Sequence, residues 1–451
     1  MPNTKNRVQI LVDQYTSSLG LPFQQLLPEY FIADAVDEEK IKYRHRIFSP
    51  MVTIWAFLSQ VLDTDKSCHN AVSRIISWLA GAGAEIPSED NSAYCQARKR
   101  LPETLLQKLF INVGDELESK TSPEHTWCGR HVKVLDGSTV SMPDTIDNQK
   151  AYPQPSSQKA GCGFPLAKIM VLFSITTGAA IGIIIDVFKT HDIKLARQLY
   201  KYLNPGDIAL GDRAFCAYSD IYFLQKQECD AIFRKHQGRK KQIKKGKRLG
   251  SHDHLVIWHK PKSCPKGLSK EEFDLLPPHL LLREVHYYIY IPGYRTKEVT
   301  LITTLLEPRL YPTLELIKIY ETRWDVELDL KHIKTTLGMD ILRGKTPEMV
   351  RKEIYVYLLA YNLLRTVMWQ AGTQKGVSPL RISLQGTRHH LHNFISELKD
   401  SRFRKRQNLY QIMLELVAHK LVPSRSGRVE PRVRKRRPLI LSSHATTSPI
   451  I

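Results

Sequence analysis

Ile169-Met-Val-Leu-Phe-Ser-Ile-Thr-Thr-Gly-Ala-Ala-Ile-Gly-Ile-Ile-Ile185 is the stretch on which the fold turns. As one run it would be a membrane span, but it has 17 residues, slightly short of the roughly 20 that a bilayer helix needs. Its middle, Thr176-Thr177-Gly178, is a turn signal, and its arms are rich in β-branched residues. The pattern predicts two buried strands joined by a tight turn, a hairpin over 168–187. Upstream, His131 to Leu135 is a short apolar strand ending at Asp136. Downstream, Asp192 to Leu203 is an amphipathic helix, and Asn204-Pro205-Gly206 is a turn. Ile208 to Leu210 begins a second buried strand, which ends at Asp212. Tyr218 to Gln227 is helical and Ala231 to Arg234 is a strand. The order strand, hairpin, helix, strand, helix, strand makes a mixed α/β sheet.

Residues 1–125 predict helices. Ser49-Pro50 is a cap with proline at the first helical position, and a further helix starts near Pro102 with Leu106, Leu109, Phe110 and Val113 at helical spacing. Just before it, Tyr94 to Arg100 is basic around one aromatic, so Arg98, Lys99 and Arg100 are candidate phosphate contacts; a solvated helix face is the alternative. Residues 235–308 interrupt the core. They open with the basic run 234–248, nine Lys or Arg and no acid, including Lys240, Lys241, Lys244 and Lys245. Strands are expected at Leu255–Trp258, Arg283–Ile291 and Glu298–Leu305, a β-rich insertion. Helices resume near 312; a long one is capped by Thr346-Pro347 and is expected to end before Gly372. The chain thus divides into 1–125, 126–234, 235–308, 309–375 and a C-terminal 376–451 of helices with a basic tail.

The chain has 451 residues, with 66 Lys and Arg against 45 Asp and Glu, a net charge of +21. Hydrophobic residues at 42% and charged residues at 25% exclude a mainly disordered chain. The positive excess points to a polyanion, nucleic acid before an anionic membrane. Residues 401–451 carry a net +10, and 234–248 add +9, so two segments account for nearly all of it. Seven scattered cysteines without a C-x-x-C disfavour a disulfide framework or zinc ribbon. The first residues lack an apolar signal core, so a reducing cytoplasm is expected.

Two aspartates at strand ends, Asp136 and Asp212, could share a hard divalent cation, since Mg²⁺ prefers carboxylate oxygens. A strand-end aspartate is also an ordinary turn residue. A sharper pattern follows at Tyr320-Glu-Thr-Arg323-Trp-Asp-Val-Glu327-Leu-Asp-Leu-Lys-His-Ile-Lys334. At about 100° per residue, Tyr320, Arg323, Glu327 and Lys334 share one arc of about 60° beside an apolar stripe of Val326, Leu330, Ile333 and Leu337. A carboxylate flanked by cations suits a metal-bound phosphodiester. The same spacing also allows a plain Arg323–Glu327 surface ion pair.

The spacing Tyr320-(2)-Arg323-(3)-Glu327-(6)-Lys334 resembles the Y-R-E-K signature of bacterial insertion-sequence transposases of the D-D-E class, the insertion sequence four family. Asp136-Gly-Ser-Thr-Val-Ser-Met-Pro-Asp144 resembles its first-aspartate motif and Leu210-Gly-Asp212-Arg213-Ala-Phe215 its second. Residues 151–165, Gly344 to Arg351 and the stretch from Glu430 to Pro438 are similar too. Together these cover most of 90–440.

The resemblance implies a ribonuclease-H-like mixed-sheet core with a β-rich insertion. It implies Asp136, Asp212 and Glu327 as catalytic residues binding two Mg²⁺ ions (Mn²⁺ as a substitute), and Tyr320, Arg323 and Lys334 as contacts to transposon-end phosphates. Trp324 is a candidate stacking partner for a displaced base, with Trp258 a second and the protein core as the alternative for each. Arg213, beside the second aspartate, is a further DNA contact. The expected partners are double-stranded transposon ends and target DNA, with no membrane and a homodimer on DNA. Two rivals remain. One is a structure-specific nuclease without strand transfer, separated by supplying a pre-cut 3′-hydroxyl end and target plasmid. The other is a non-catalytic DNA-binding regulator, separated by metal-dependent nicking. Ser251-His252-Asp253-His254 with His259, and His389-His390-Leu391-His392, are read as surface or DNA contact rather than zinc sites. Asp329 is set aside as facing away from Glu327.

Overall fold

In this computed structural model, residues 2–422 are described, except 20, 24–25, 42, 44–45, 160, 237–245 and 290–297. The side chains of residues 2, 3, 21, 324–327, 399, 400 and 403 are also outside the described set. Six helices come first: α1 (Pro2–Ser17), α2 (Glu29–Glu38), α3 (Pro50–Leu62), α4 (Cys68–Gly81), α5 (Ser92–Arg100) and α6 (Glu103–Ser119). The Ser49 hydroxyl accepts from the Val52 N–H at the start of α3, satisfying a donor that the first turn leaves over. The predicted segment around Tyr94 is α5 itself.

The core then builds one sheet, with β1 (Val132–Ser141), α7 (Ile146–Ala151), β2 (Leu166–Ser174), β3 (Ala180–Val187), α8 (Asp192–Leu199), β4 (Ile208–Gly211), α9 (Tyr218–Lys226) and β5 (Asp230–Arg234). The expected hairpin is β2–β3, antiparallel, with Ile169↔Ile185 and Val171↔Ile183 in register. Ile169, Met170, Val171, Leu172 and Phe173 are all fully buried. At about 1.5–3 kcal/mol per large apolar side chain, that arm alone explains why the run is a core strand.

β1 does not end at Asp136. It continues to Ser141 because β2 offers it a full antiparallel ladder, Lys133↔Ser174 through Ser141↔Leu166, and the half-polar Gly137-Ser-Thr-Val-Ser141 suits a sheet exposed on one face. β1 pairs β4 in parallel only over Val132–Val134 with Ile208–Leu210, and β4 pairs β5 in parallel.

The insertion contributes β6 (Lys247–Gly250), β7 (Asp253–His259), α10 (Lys270–Asp274), β8 (His279–Tyr288) and β9 (Glu298–Thr303). Its strands extend the core sheet: β9 pairs β5 antiparallel, giving the nine-stranded order β3-β2-β1-β4-β5-β9-β8-β7-β6. Buried ion pairs knit this wing. Lys235 Nζ donates to Glu284 at 2.8 and 2.9 Å, and His286 Nε2 lies 2.9 Å from the same carboxylate. Fully buried Arg283 binds Asp253 through Nε at 2.9 Å and donates to the Tyr311 carbonyl at 2.7 Å. Thr313 also donates to Asp253 at 2.7 Å, so the wing grips the start of the next helix.

That helix is α11 (Thr313–Glu321), followed by α12 (Arg323–Lys331), a π-helical turn (His332–Thr336), α13 (Pro347–Lys375), α14 (Leu384–Asp400) and α15 (Phe403–His419). α13 packs against α3, α6, β3, α14 and α15, so helices from both chain ends share it as a spine. It does not stop at Gly372. A Cβ there would come within 2.6 Å of the Val377 carbonyl oxygen, so this glycine permits a close chain return, and the left-handed cap is Gly376 at φ +64°. None of the seven cysteines is in a disulfide. No helix among the described residues is long and apolar enough to cross a membrane.

Candidate active site

The parallel pairing of β1 with β4 brings the two aspartates together. Asp136 lies two residues beyond Val134 and Asp212 two beyond Leu210, and Val134 and Leu210 are the last paired positions. Equal offsets on parallel neighbours put the two side chains on the same face, where β4 stops and β1 runs on with β2. Both are half-buried. Asp136 Oδ1 accepts from the Gly137 N–H at 2.9 Å, and Asp212 accepts from the Arg213 N–H, so each backbone neighbour orients its carboxylate.

α12 packs on β1 and carries Glu327 and Trp324 in its first turns. The side chains of both lie outside the described residues, as do Lys240, Lys241, Lys244, Lys245 and the C-terminal basic cluster. The helix differs from the uniform one expected from the sequence. Thr322 interrupts it between α11 and α12, and residues 332–336 widen to a π-turn. Such bulges shift the side-chain phase and recur at functional sites. Here Lys334 lies in the widened turn, and its Nζ donates to Ser138 Oγ at 3.0 Å, two residues past Asp136.

Tyr320 is buried, and the Arg323 guanidinium lies 5.8 Å from its ring centroid. Burial pushes the Tyr320 phenol up to about 12; Arg323 opposes the shift and the negative charge of Asp212 adds to it. Tyr320, Arg323 and Asp212 therefore share one electrostatic environment, which Arg234 at the end of β5 also enters. Ser138 and Arg234 are the neighbours the sequence reading missed; nothing in their spacing marks them, since both arrive through strand pairing.

Other candidates fall elsewhere. Arg98 faces inward: its guanidinium lies 4.7 Å from the Phe57 ring centroid and 5.1 Å from that of Tyr94, and it donates to Gln60 at 3.2 Å. The structure gives Arg98 a packing role in place of the expected phosphate contact or solvated face, beside Tyr94, which is itself fully buried. Lys99, Arg100 and Arg213 are exposed. Trp258 is an interior residue of β7 at 2% exposure, opposite Leu280, and does not present a ring for stacking. Asp329 is buried against Arg365 of α13. Among the described residues no group of three or more His, Cys, Asp or Glu is placed to hold a metal ion. What is described at the fork is a pair of hard oxygen donors, the donor chemistry that suits Mg²⁺.

Residues 127–363 match the family described as the transposase DDE domain, and residues 18–111 match the insertion element 4 transposase N-terminal family. The chain belongs to the DDE transposases of the insertion element 4 family. Its mixed sheet is accordingly a ribonuclease-H-like core. This transposase is 25% identical to the transposase InsG for insertion sequence element IS4 of Escherichia coli K12, over 95% of each chain. It is 24% identical to a putative transposase for element IS4SA of Synechocystis, over 71% of this chain and 83% of that one. A solved piggyBac transposase synaptic complex with hairpin DNA aligns distantly, at a TM-score of 0.46 and 12% identity, over 91% of this chain and 88% of that one.

Proposed function

We propose that this transposase binds the terminal inverted repeats of an insertion sequence, cuts at their ends and joins them to target DNA, with Asp136, Asp212 and Glu327 as the cutting site. The observation that carries the reading is the fork between β1 and β4. Asp136 and Asp212 follow the last paired positions of these parallel neighbours by equal offsets, and α12, which bears Glu327, packs on β1. Hard carboxylate donors fit Mg²⁺, with Mn²⁺ as a substitute, and two bound ions would supply charge neutralisation and activation of an oxygen nucleophile. Lys334, steadied by Ser138, and Arg323, beside Tyr320, supply cations for non-bridging phosphate oxygens. Trp324 stacks on a displaced base. Exposed Lys99, Arg100 and Arg213, with Lys240, Lys241, Lys244 and Lys245, follow the DNA backbone, and the N-terminal helices seat the transposon end.

The reaction is an in-line displacement at phosphorus. Water attacks first and frees a 3′-hydroxyl. That hydroxyl attacks the opposite strand to give a hairpin end, and after reopening it attacks target DNA. Two ends must be paired, so the working form is a homodimer on DNA, acting in the bacterial cytoplasm on the nucleoid. In an assay with labelled end DNA, Glu327→Gln and Asp212→Asn abolish cleavage and leave end binding nearly intact. Cleavage at the parent rate by either variant refutes the site. Excised ends without a hairpin remove that step alone.

A further inference from the structure

α12 is fastened from behind by a charge pair that takes no part in the proposed cutting step. Asp329, two residues after Glu327, is 5% exposed, and its carboxylate meets the Arg365 guanidinium of α13, 2% exposed. Arg365 Nε donates to the Tyr361 hydroxyl at 2.8 Å, and that hydroxyl donates to the Gly178 carbonyl at 2.8 Å. Gly178 sits in the β2–β3 turn at φ +73°, and a Cβ there would stand 2.8 Å from Arg365 Cζ. The chain of contacts thus runs from the helix of Glu327, through α13, to the turn of the hairpin whose first strand pairs Val171 with Asp136. Further along, the same helical segment is tied to β1 by Lys334 and Ser138. Both attachments follow Glu327, two and seven residues on in the same helical segment.

A buried ion pair is a poor device for stability, since desolvation offsets its attraction and apolar replacements are often neutral or stabilising. Among the described residues Arg365 Nη1 has no hydrogen-bond partner, a further cost that packing alone would not retain. What a directional pair supplies, and an apolar contact does not, is register. Burial pulls the Arg365 guanidinium below its ordinary range, to about 9, which leaves it charged at neutral pH against Asp329.

We propose that Asp329 and Arg365 are positioning residues that set the register of α12 on the sheet, and so the placement of Glu327 opposite Asp136 and Asp212. The inference rests on the proposed cutting site. The test compares the parent, Glu327→Gln, the double variant Asp329→Leu with Arg365→Met, and Asp329→Asn. Each is followed by thermal unfolding with and without Mg²⁺, end-DNA binding in EDTA, and single-turnover cleavage across Mg²⁺ concentrations. In the double variant the thermal midpoint in EDTA and end binding stay at the parent values. Cleavage falls on the order of 100-fold, as a displacement near 1 Å does. The Mg²⁺ concentration for half-maximal rate rises roughly 10-fold, and the Mg²⁺-induced rise in midpoint shrinks. Asp329→Asn moves the same readouts in the same direction. Cleavage by Glu327→Gln defeats the cutting site itself. An inactive Glu327→Gln beside a folded double variant with parent cleavage and Mg²⁺ dependence defeats the positioning role. So does the failure of both Asp329 variants to fold, which would make the pair a folding requirement.

Discussion

Gly178 and Gly376 form a matched pair of left-handed glycines, at φ +73° and +64°, that differ in what surrounds them. Replacing either with alanine costs about 1–2 kcal/mol for the left-handed backbone. At Gly376 nothing lies within 4 Å of the new Cβ, so the cost stops there. At Gly178 the Cβ would meet Arg365 Cζ at 2.8 Å, Nε at 2.9 Å and Leu380 Cδ2 at 3.0 Å. The far end of an arginine would ordinarily swing aside. This one is held between Asp329 and Tyr361 in a fully buried site, so moving it weakens a hydrogen bond to a buried charge, worth about 1.5–3 kcal/mol. The expected costs are about 1–2 kcal/mol for Gly376→Ala and about 3 kcal/mol or more for Gly178→Ala. Guanidinium unfolding of the two variants beside the parent measures the difference. Equal losses would mean that Arg365 is loosely held, and the rigid link between hairpin turn and α12 would fall with it.

Two further outcomes follow from the placement of charges. Arg98→Ala should cost about 2–3 kcal/mol of stability through its two aromatic faces and the Gln60 bond, leaving the salt dependence of DNA binding unchanged. Lys99→Ala with Arg100→Ala should leave stability alone and flatten the slope of log K against log salt by about 0.9 for each phosphate no longer neutralised; the reverse pattern would undo the assignment of faces. At alkaline pH the folded chain keeps the Tyr320 proton up to about 12, whereas an unfolded tyrosine loses it near 10. The unfolded state is the one that sheds the proton, so stability falls as pH rises between those values. Tyr320→Phe should flatten that fall in unfolding midpoints taken at stepped pH, and an unchanged slope would contradict the burial.

Local pattern carried much of this molecule. The Thr176–Gly178 turn inside an apolar run, the buried strand before Asp212 and the cap at Ser49-Pro50 are each decided by a few adjacent residues, and each is found where those residues place it. What escaped depends on partners distant in sequence. β1 outlasts Asp136 because β2, about thirty residues later, offers it a ladder. Arg98 turns inward because Phe57 and Gln60 lie beneath α5, and a basic run reads the same on either face. The Glu327 helix is interrupted at Thr322 and widens at the π-turn, where no proline or glycine gives warning. Asp329 could be set apart from the Glu327 face by spacing alone, but its partner sits 36 residues further on, in a helix whose apolar residues give no hint of a buried cation.

The order of the sheet also bears on how far this enzyme can be taken apart. β5, with Ile232 and Phe233 wholly buried, borders β4 on one side and β9 on the other. Deleting the stretch between β5 and α11 would not remove a detachable module. It would strip the partner from β5 and leave an apolar strand with its backbone groups open, the kind of edge that pairs with other chains. Shortened relatives of this protein would therefore need a replacement strand or a covering helix at that position. Mechanical load on β9 is carried inward by two rows of backbone hydrogen bonds, β9 to β5 and β5 to β4, to the strand that ends just before Asp212.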